Sequence, residues 1–221
     1  MKVCTDACIL GAAANLNGAE RILDIGTGTG LLALMAAQRN ASASIQAVEI
    51  DAAAAAQASQ NAQASPWAKR LGIYAGSLAE FAATCPAPYD HILCNPPFFR
   101  HSLRSPDTAR TIARHTAADT LTFAELVTFA GRHLVADGGL TVLLPPTEML
   151  AFEQEAHRAG LYPTTRLVVR HRPCSKPLRH ITEFGFAPQA SRTRELAIHD
   201  ADSEAYSDAF INLLRDFYLA F

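Results

Sequence analysis

The sequence predicts an α/β fold in which a mostly parallel sheet of seven strands is covered by helices on both faces. Three observations predict it. Short apolar runs alternate with helix-length segments along the 221 residues. The first run opens directly into a glycine-rich turn, and the fourth ends at a pair of prolines. Repeated strand–helix units favour parallel pairing, because each crossover helix returns the chain to the same edge of the sheet.

The elements follow in order. Arg21 to Ile25 reads as a buried strand, Gly26 to Gly30 as a turn, and Leu31 to Asn40, rich in Leu, Ala, Met and Gln, as a helix. Ser44 to Ile50 is the second strand. Asp51 caps a helix that ends near Ala64, before Pro66. Leu71 to Ala75 and Tyr89 to Cys94 are the third and fourth strands. Phe123, Leu126, Val127, Ala130 and Leu134 recur at helical spacing, and Gly138-Gly139 turns into a fifth strand, Leu140 to Leu144. Glu148 to Arg158 is helical, Arg166 to Val169 and His180 to Phe186 are late strands, and Glu204 to Tyr218 carries a helical apolar stripe. No linker divides the chain, so residues 1–221 are expected to form a single domain. The irregular stretch Phe99 to Asp119 is long for a compact domain, which marks it as a segment bordering a substrate.

Composition narrows the class. With 49% hydrophobic and 18% charged residues, the chain reads as an ordinary globular protein. No apolar run reaches the roughly 20 residues that span a bilayer, so no membrane partner is expected. The opening Met1-Lys2-Val3-Cys4-Thr5-Asp6 lacks an apolar stretch of signal-peptide length, which makes a cytoplasmic location the expectation. The five cysteines show no paired CxxC spacing and read as free thiols, with no metal site expected. A net charge of −2 demands no polyanion. Locally, however, Ala156 to Thr182 holds Arg158, Arg166, Arg170, Arg172, Lys176 and Arg179 with no acid, a strip able to hold a polyanion or to form a solvated face.

The glycine-rich turn is Asp24-Ile25-Gly26-Thr27-Gly28-Thr29-Gly30, and Glu49 at the end of the next strand lies 23 residues after Gly26. Glycines let the backbone turn sharply and approach a ligand, and a carboxylate at that place can accept from both hydroxyls of a ribose. The GxGxG spacing differs from the GxGxxG that presents a helix N-terminus to a pyrophosphate. Asp24 at the start of the loop suits a cationic amino-acid tail. Together these favour S-adenosylmethionine over NAD.

The fourth strand ends in Asn95-Pro96-Pro97-Phe98. An exocyclic amine on a planar ring or amide has its lone pair delocalised. Two acceptors holding its hydrogens, the Asn95 side-chain carbonyl and the Pro96 backbone carbonyl, bias the nitrogen toward a nucleophilic geometry. Pro96 and Pro97 restrict φ and keep those acceptors in place. Phe98 offers a flat face for stacking a base. A sulfonium leaving group drives such a transfer without a metal.

These residues resemble the bacterial tRNA1(Val) adenine-37 N6-methyltransferases. The resemblance runs from Lys2-Val3-Cys4-Thr5-Asp6 and Ile9-Leu10-Gly11-Ala12 through the glycine loop, Ala47 to Asp51, Gln60-Asn61 and Ser65-Pro66-Trp67-Ala68. It continues at Asn95 to Phe99, Ala113-Arg114-His115 and the tail Tyr206-Ser207 with Phe217-Tyr218. It implies a Rossmann-like class I methyltransferase fold, S-adenosylmethionine as cofactor, and the adenine beside the anticodon of a tRNA as substrate. It also implies that Thr5 and Asp6 stand near the methionine end of the cofactor with Asp24, Gly26, Gly28 and Gly30, while Glu49 takes the ribose. The family usually has an aspartate for the adenine amino group where this chain has Ser77, a glycine where it has Cys4, and a further segment ahead of Lys2. Weaker cofactor and RNA binding are the corresponding expectations.

On that reading Arg104, Arg110 and Arg114 in the long loop, with Arg170, Arg172, Lys176 and Arg179 in the basic strip, track the RNA backbone. The alternatives are glutamine N5-methylation of a protein, guanine N2-methylation of ribosomal RNA, and a non-catalytic RNA-binding protein with a decayed cofactor pocket.

Overall fold

The computed structural model describes residues 4–84, 87–96 and 121–219. Eight strands among them form one sheet: β1 (Arg21–Ile25), β2 (Ser44–Glu49), β3 (Leu71–Ala75), β4 (Tyr89–Cys94), β5 (Leu134–Leu144), β6 (Tyr162–Arg170), β7 (Pro177–Gly185) and β8 (Arg192–Ala197). Their order is β3-β2-β1-β4-β5-β7-β6-β8. Only β7 runs against the others, pairing antiparallel with β5 and β6. The remaining pairings are all parallel.

The sheet is thus mostly parallel, as expected, with eight strands where seven are predicted. The extra one is β8, an edge strand whose Arg192 to Glu195 are exposed and which buries only Leu196. It is held by main-chain pairing with β6, so its sequence carries no apolar alternation. Strand β5 also begins earlier than Gly138-Gly139 suggests. Its register against β4 breaks between Tyr89 and His91, whose partners jump from Leu134 to Gly139. A Cβ on Gly138 would stand 3.1 Å from the Asp90 carbonyl, so the glycine serves a close backbone approach within an irregular strand.

The helices are α1 (Thr5–Ala13), α2 (Leu31–Arg39), α3 (Ala52–Ala64), α4 (Leu78–Thr84), α5 (Phe123–His133), α6 (Pro146–Arg158) and α7 (Asp208–Leu214). One face of the sheet packs Leu23, Ile92, Val142 and Phe184 against Phe81 of α4, Leu126 of α5 and Phe152 of α6. On the other face Leu143, Val169, Ile181 and Leu196 meet Ile9 and Leu10 of α1, Met35 of α2 and Phe210 of α7. Helix α1 shows no stripe in sequence because Ala7 to Ala12 are buried on every side. Helix α5 starts in a full capping box, Thr122 with Glu125. Asp51 caps α3 through Ala54 N–H, as expected. Helix α7 is shorter than the predicted 204–218, because Ser207 accepts from Phe210 N–H and starts it there. Among the described residues no helix is long and apolar enough to cross a membrane.

Candidate active site

Parallel pairing brings the sequence motifs to one edge. Ile25 at the end of β1 pairs with Val48 of β2 and Cys94 of β4, and Glu49 pairs with Ala75 of β3. The residues that follow therefore emerge side by side: Ser77 beyond β3, Glu49 on β2, the glycine loop beyond β1 and Asn95 beyond β4. Neighbouring strands lie about 4.8 Å apart, so this line is roughly 15 Å long, the scale of an extended nucleoside–amino acid conjugate.

The loop is shaped by glycine. Gly26, Gly28 and Gly30 all have positive φ, at 71°, 59° and 91°, a region where a Cβ is strained. Gly26 and Thr27 donate to the Val48 carbonyl at 2.9 and 3.1 Å, and the Asn61 amide donates to the Thr29 carbonyl at 2.9 Å. Where a side chain on Gly26 would stand there is, among the described residues other than its chain neighbours, no atom within 4 Å. That is a cradle open to a ligand.

Two buried carboxylates underlie the cradle. Glu49 Oε2 accepts from Gly28 N–H at 2.7 Å and Oε1 from Asp51 N–H at 2.9 Å. Each oxygen keeps a lone pair for a further donor. Asp24 is fully buried. Its Oδ2 accepts from Thr27 Oγ1 at 2.5 Å and Ala33 N–H at 3.1 Å, while Oδ1 has no partner among the described residues. Burial pushes its carboxyl up to about 7 despite the bonds from Thr27 and Ala33, with Glu49 adding to the rise. Asp24 therefore braces the loop from beneath. Of its oxygens only Oδ1 has no partner among the described residues and so remains for contact with a ligand's cationic tail.

Asn95 Oδ1 is also buried and without a partner among the described residues. An unpaired buried acceptor costs about 1–3 kcal/mol. Two of them at one strand edge, beside an open cradle, are what a site awaiting donors looks like. Pro96 is described and buried; Pro97 and Phe98 lie outside the described residues.

Ser77 is engaged in capping α4. Its hydroxyl donates to Glu80 Oε2 at 2.8 Å and accepts from Glu80 N–H at 3.2 Å, leaving one lone pair. Sequence reasoning missed Ile50, an apolar residue 44% exposed directly after Glu49. An apolar residue exposed at the end of a strand, directly after the acid expected to take the ribose, is the signal that was available.

The N-terminal motif residues reach the same edge. Asp6 Oδ2 accepts from Arg179 Nε at 2.7 Å, at the start of β7. Tyr218 packs against the cluster that holds Cys8, bringing together the two segments that the sequence singles out.

The fold sets an acid beside most of the basic strip. Arg158 pairs with Glu155, Arg166 with Glu153, Arg170 with Glu195, Arg172 with Glu204 and Arg179 with Asp6. Arg172 also donates to the carbonyls of Asp200, Ala201 and Ser203. Arg170, Arg172 and Arg179 are thus each tied to a neighbouring element through part of the guanidinium. Lys176 is exposed and in no ion pair among the described residues. Arg104, Arg110 and Arg114 lie outside the described residues.

A Rossmann-like sheet with a ligand cradle beyond β1, an acid ending β2 and an Asn-Pro-Pro segment beyond β4 defines a class I methyltransferase. Residues 9–151 match the model of the methyltransferase small domain. A protein of Dyadobacter fermentans named tRNA1(Val) (adenine(37)-N6)-methyltransferase is 42% identical, over 100% of this chain and 92% of its own. One of the same name from Pseudoalteromonas translucida is 41% identical, over 99% and 92%. The chain belongs to this family of tRNA1(Val) (adenine(37)-N6)-methyltransferases, within the methyltransferase small-domain group. A predicted O-methyltransferase from Agrobacterium tumefaciens superposes over 96% of both chains with a TM-score of 0.67 at 20% identity. A methyltransferase from Pyrococcus furiosus does so over 81% of both with 0.59 at 18%, and these two likenesses show the fold alone.

Proposed function

We propose that the chain, acting as a single domain, transfers a methyl group from S-adenosylmethionine to the exocyclic N6 of an adenine in tRNA. The observation that carries this is the Asn95 Oδ1, unpartnered among the described residues, beside the open Gly26 cradle. The residues fit the cofactor in order along the edge. The Ser77 hydroxyl accepts from the adenine amino group, and Ile50 offers it apolar surface. Glu49 accepts from the ribose hydroxyls, and the open face of Gly26 admits the methionine portion, whose ammonium finds Asp24 Oδ1 and Asp6. When bound, the cofactor supplies an electrophilic methyl on a sulfonium.

Asn95 Oδ1 and the Pro96 carbonyl accept the two N6 hydrogens of the substrate. They bias the nitrogen lone pair out of conjugation, and proline fixes the segment before the amine arrives. Phe98 stacks on the extruded base, and Lys176 with Arg104, Arg110 and Arg114 contacts phosphate. Full-length relatives of one name support adenine in tRNA over glutamine or ribosomal guanine, and the unfilled acceptors argue against a decayed pocket. The same names support position 37, in the anticodon loop, and a tRNA substrate fits a cytoplasmic location.

The test is transfer of labelled methyl groups onto total tRNA, followed by nucleoside analysis. Label in N6-methyladenosine is expected. Label confined to another nucleoside, or to protein, overturns the reading.

A further inference from the structure

We propose that His171, His199 and Glu204 form a site for a divalent transition metal of the zinc type, on the same edge of the sheet as the glycine loop. One ligand atom from each of the three side chains lies within 4.8 Å of the others. They come from three separate places: the residue after β6, the segment after β8 and the turn before α7.

The backbone frame is fixed. His199 N–H donates to the His171 carbonyl at 3.0 Å, extending the β6–β8 pairing by one step. Asp200 N–H donates to Ala205 at 3.0 Å, and His199 bridges antiparallel to Tyr206, which closes the turn that carries Glu204. The side chains are oriented as well. His199 Nδ1 lies 2.9 Å from the Glu204 backbone carbonyl, so it carries the proton and leaves the Nε2 lone pair available. A backbone carbonyl on the far nitrogen is the usual outer partner of a metal-binding histidine. The His199 ring is further fixed by stacking on Tyr206 at 5.2 Å, and Tyr206 in turn stacks on the buried Phe210.

The distances suit coordination. Two imidazoles bound to one ion at about 2.1 Å hold their centroids roughly 5 Å apart, and the His171 and His199 rings stand 4.8 Å apart, inclined by 62°. His171 and Glu204 are exposed, so rotation of their side chains closes the remaining gap. Arg172 pairs with Glu204 Oε1, which leaves Oε2 to ligate and makes the guanidinium an outer partner of the carboxylate. Two imidazole nitrogens and one carboxylate select zinc-like ions over calcium or magnesium, which take all-oxygen shells. The sequence gives no hint of this set, because 27 residues separate His171 from His199 and no short ligand spacing marks either.

Bound metal would clip the β6–β7 loop to the turn before α7 and stiffen the edge. The experiment is calorimetric titration of the EDTA-stripped full-length protein with ZnCl2, with CoCl2 as a spectroscopic probe and thermal melts in parallel. Saturable one-to-one uptake, a visible-region cobalt absorption and a raised Tm are expected. Affinity should fall at least about tenfold in His171→Ala, in Glu204→Gln and in His199→Ala. His171 and Glu204 are exposed, so their variants keep the apo Tm and remain informative where His199→Ala loses stability. Absence of saturable uptake, or uptake unweakened in His171→Ala and Glu204→Gln, overturns the proposal.

Discussion

Two stretches of the sheet's functional edge handle charge in opposite ways. At the β1–β2–β4 end, Asp24 and Glu49 are buried and bonded only to N–H and O–H donors, with no cation in an ion pair with either among the described residues. At the β6–β8 end, Arg166, Arg170, Arg172 and Arg179 are each matched by an acid: Glu153 from α6, Glu195 from β8, Glu204 from the turn before α7, and Asp6 from α1. Unmatched buried acceptors store a demand for a ligand, whereas a matched surface pair contributes little beyond holding its elements together. The first region keeps acceptors without partners among the described residues, and the second sets acids against its arginines. A run of like charge in sequence says nothing about which of the two it serves.

The largest effect tests the receiving end. Asn95→Ala should lower kcat by about 10²–10³-fold while leaving the affinity for S-adenosylhomocysteine unchanged, measured by labelled-methyl transfer and by calorimetry. An unchanged kcat would remove Asn95 from the reaction. Arg172→Ala should break the matching end. With its bonds to three carbonyls and to Glu204 gone, stability should fall by about 1–3 kcal/mol in urea melts, with tRNA affinity unchanged. Lys176→Ala is its converse. Stability should hold, and the salt dependence of tRNA binding should become shallower by about one unit of slope. If the two variants exchange phenotypes, the division drawn between the regions is wrong.

Smaller effects sharpen the picture by pH. Burial holds His91 down to about 4, its Nε2 meeting Thr141 Oγ1 at 2.8 Å. Unfolding raises its proton affinity, so its contribution to stability is present above about 6.5 and is lost as pH falls toward 4. Asp24 works with the opposite sign. Its folded pKa lies above the unfolded value of 3.8, so its contribution is present below about 4 and lost as pH rises through about 7. Asp24→Asn should therefore steepen the gain in stability between pH 4 and 6.5, where the two groups oppose each other. A pH–stability profile that the substitution leaves unaltered would show that Asp24 is not held protonated by burial.

The glycine loop, its downstream acid and the Asn-Pro-Pro segment were legible because each is a short-range pattern with a local cause. Positive φ favours glycine, Asp51 reaches the amide three residues on, and proline fixes its own backbone. Strands β1 to β4 were legible for the same reason, being apolar runs of strand length between turn residues. Three things were not. Helix α1 is buried on all sides and so lacks a stripe. Strand β8 exists through main-chain pairing with β6, which its polar residues do not announce. The capping role of Ser77 turns on Glu80, whose side chain competes for the same hydroxyl that the cofactor reading needs.

By itself, then, the sequence determined the strand–helix order, the conformation of the glycine loop and the identity of the groups at the Asn95 end, because neighbours in the chain enforce each of them. Only the tertiary structure decided which charges remain open. It paired Arg170, Arg172 and Arg179 with acids from 25, 32 and 173 residues away and brought His171 and His199 together. It also left Asn95 Oδ1 and Asp24 Oδ1 without partners among the described residues, since hydrogen bonds and ion pairs depend on distance in space and the sheet sets that distance.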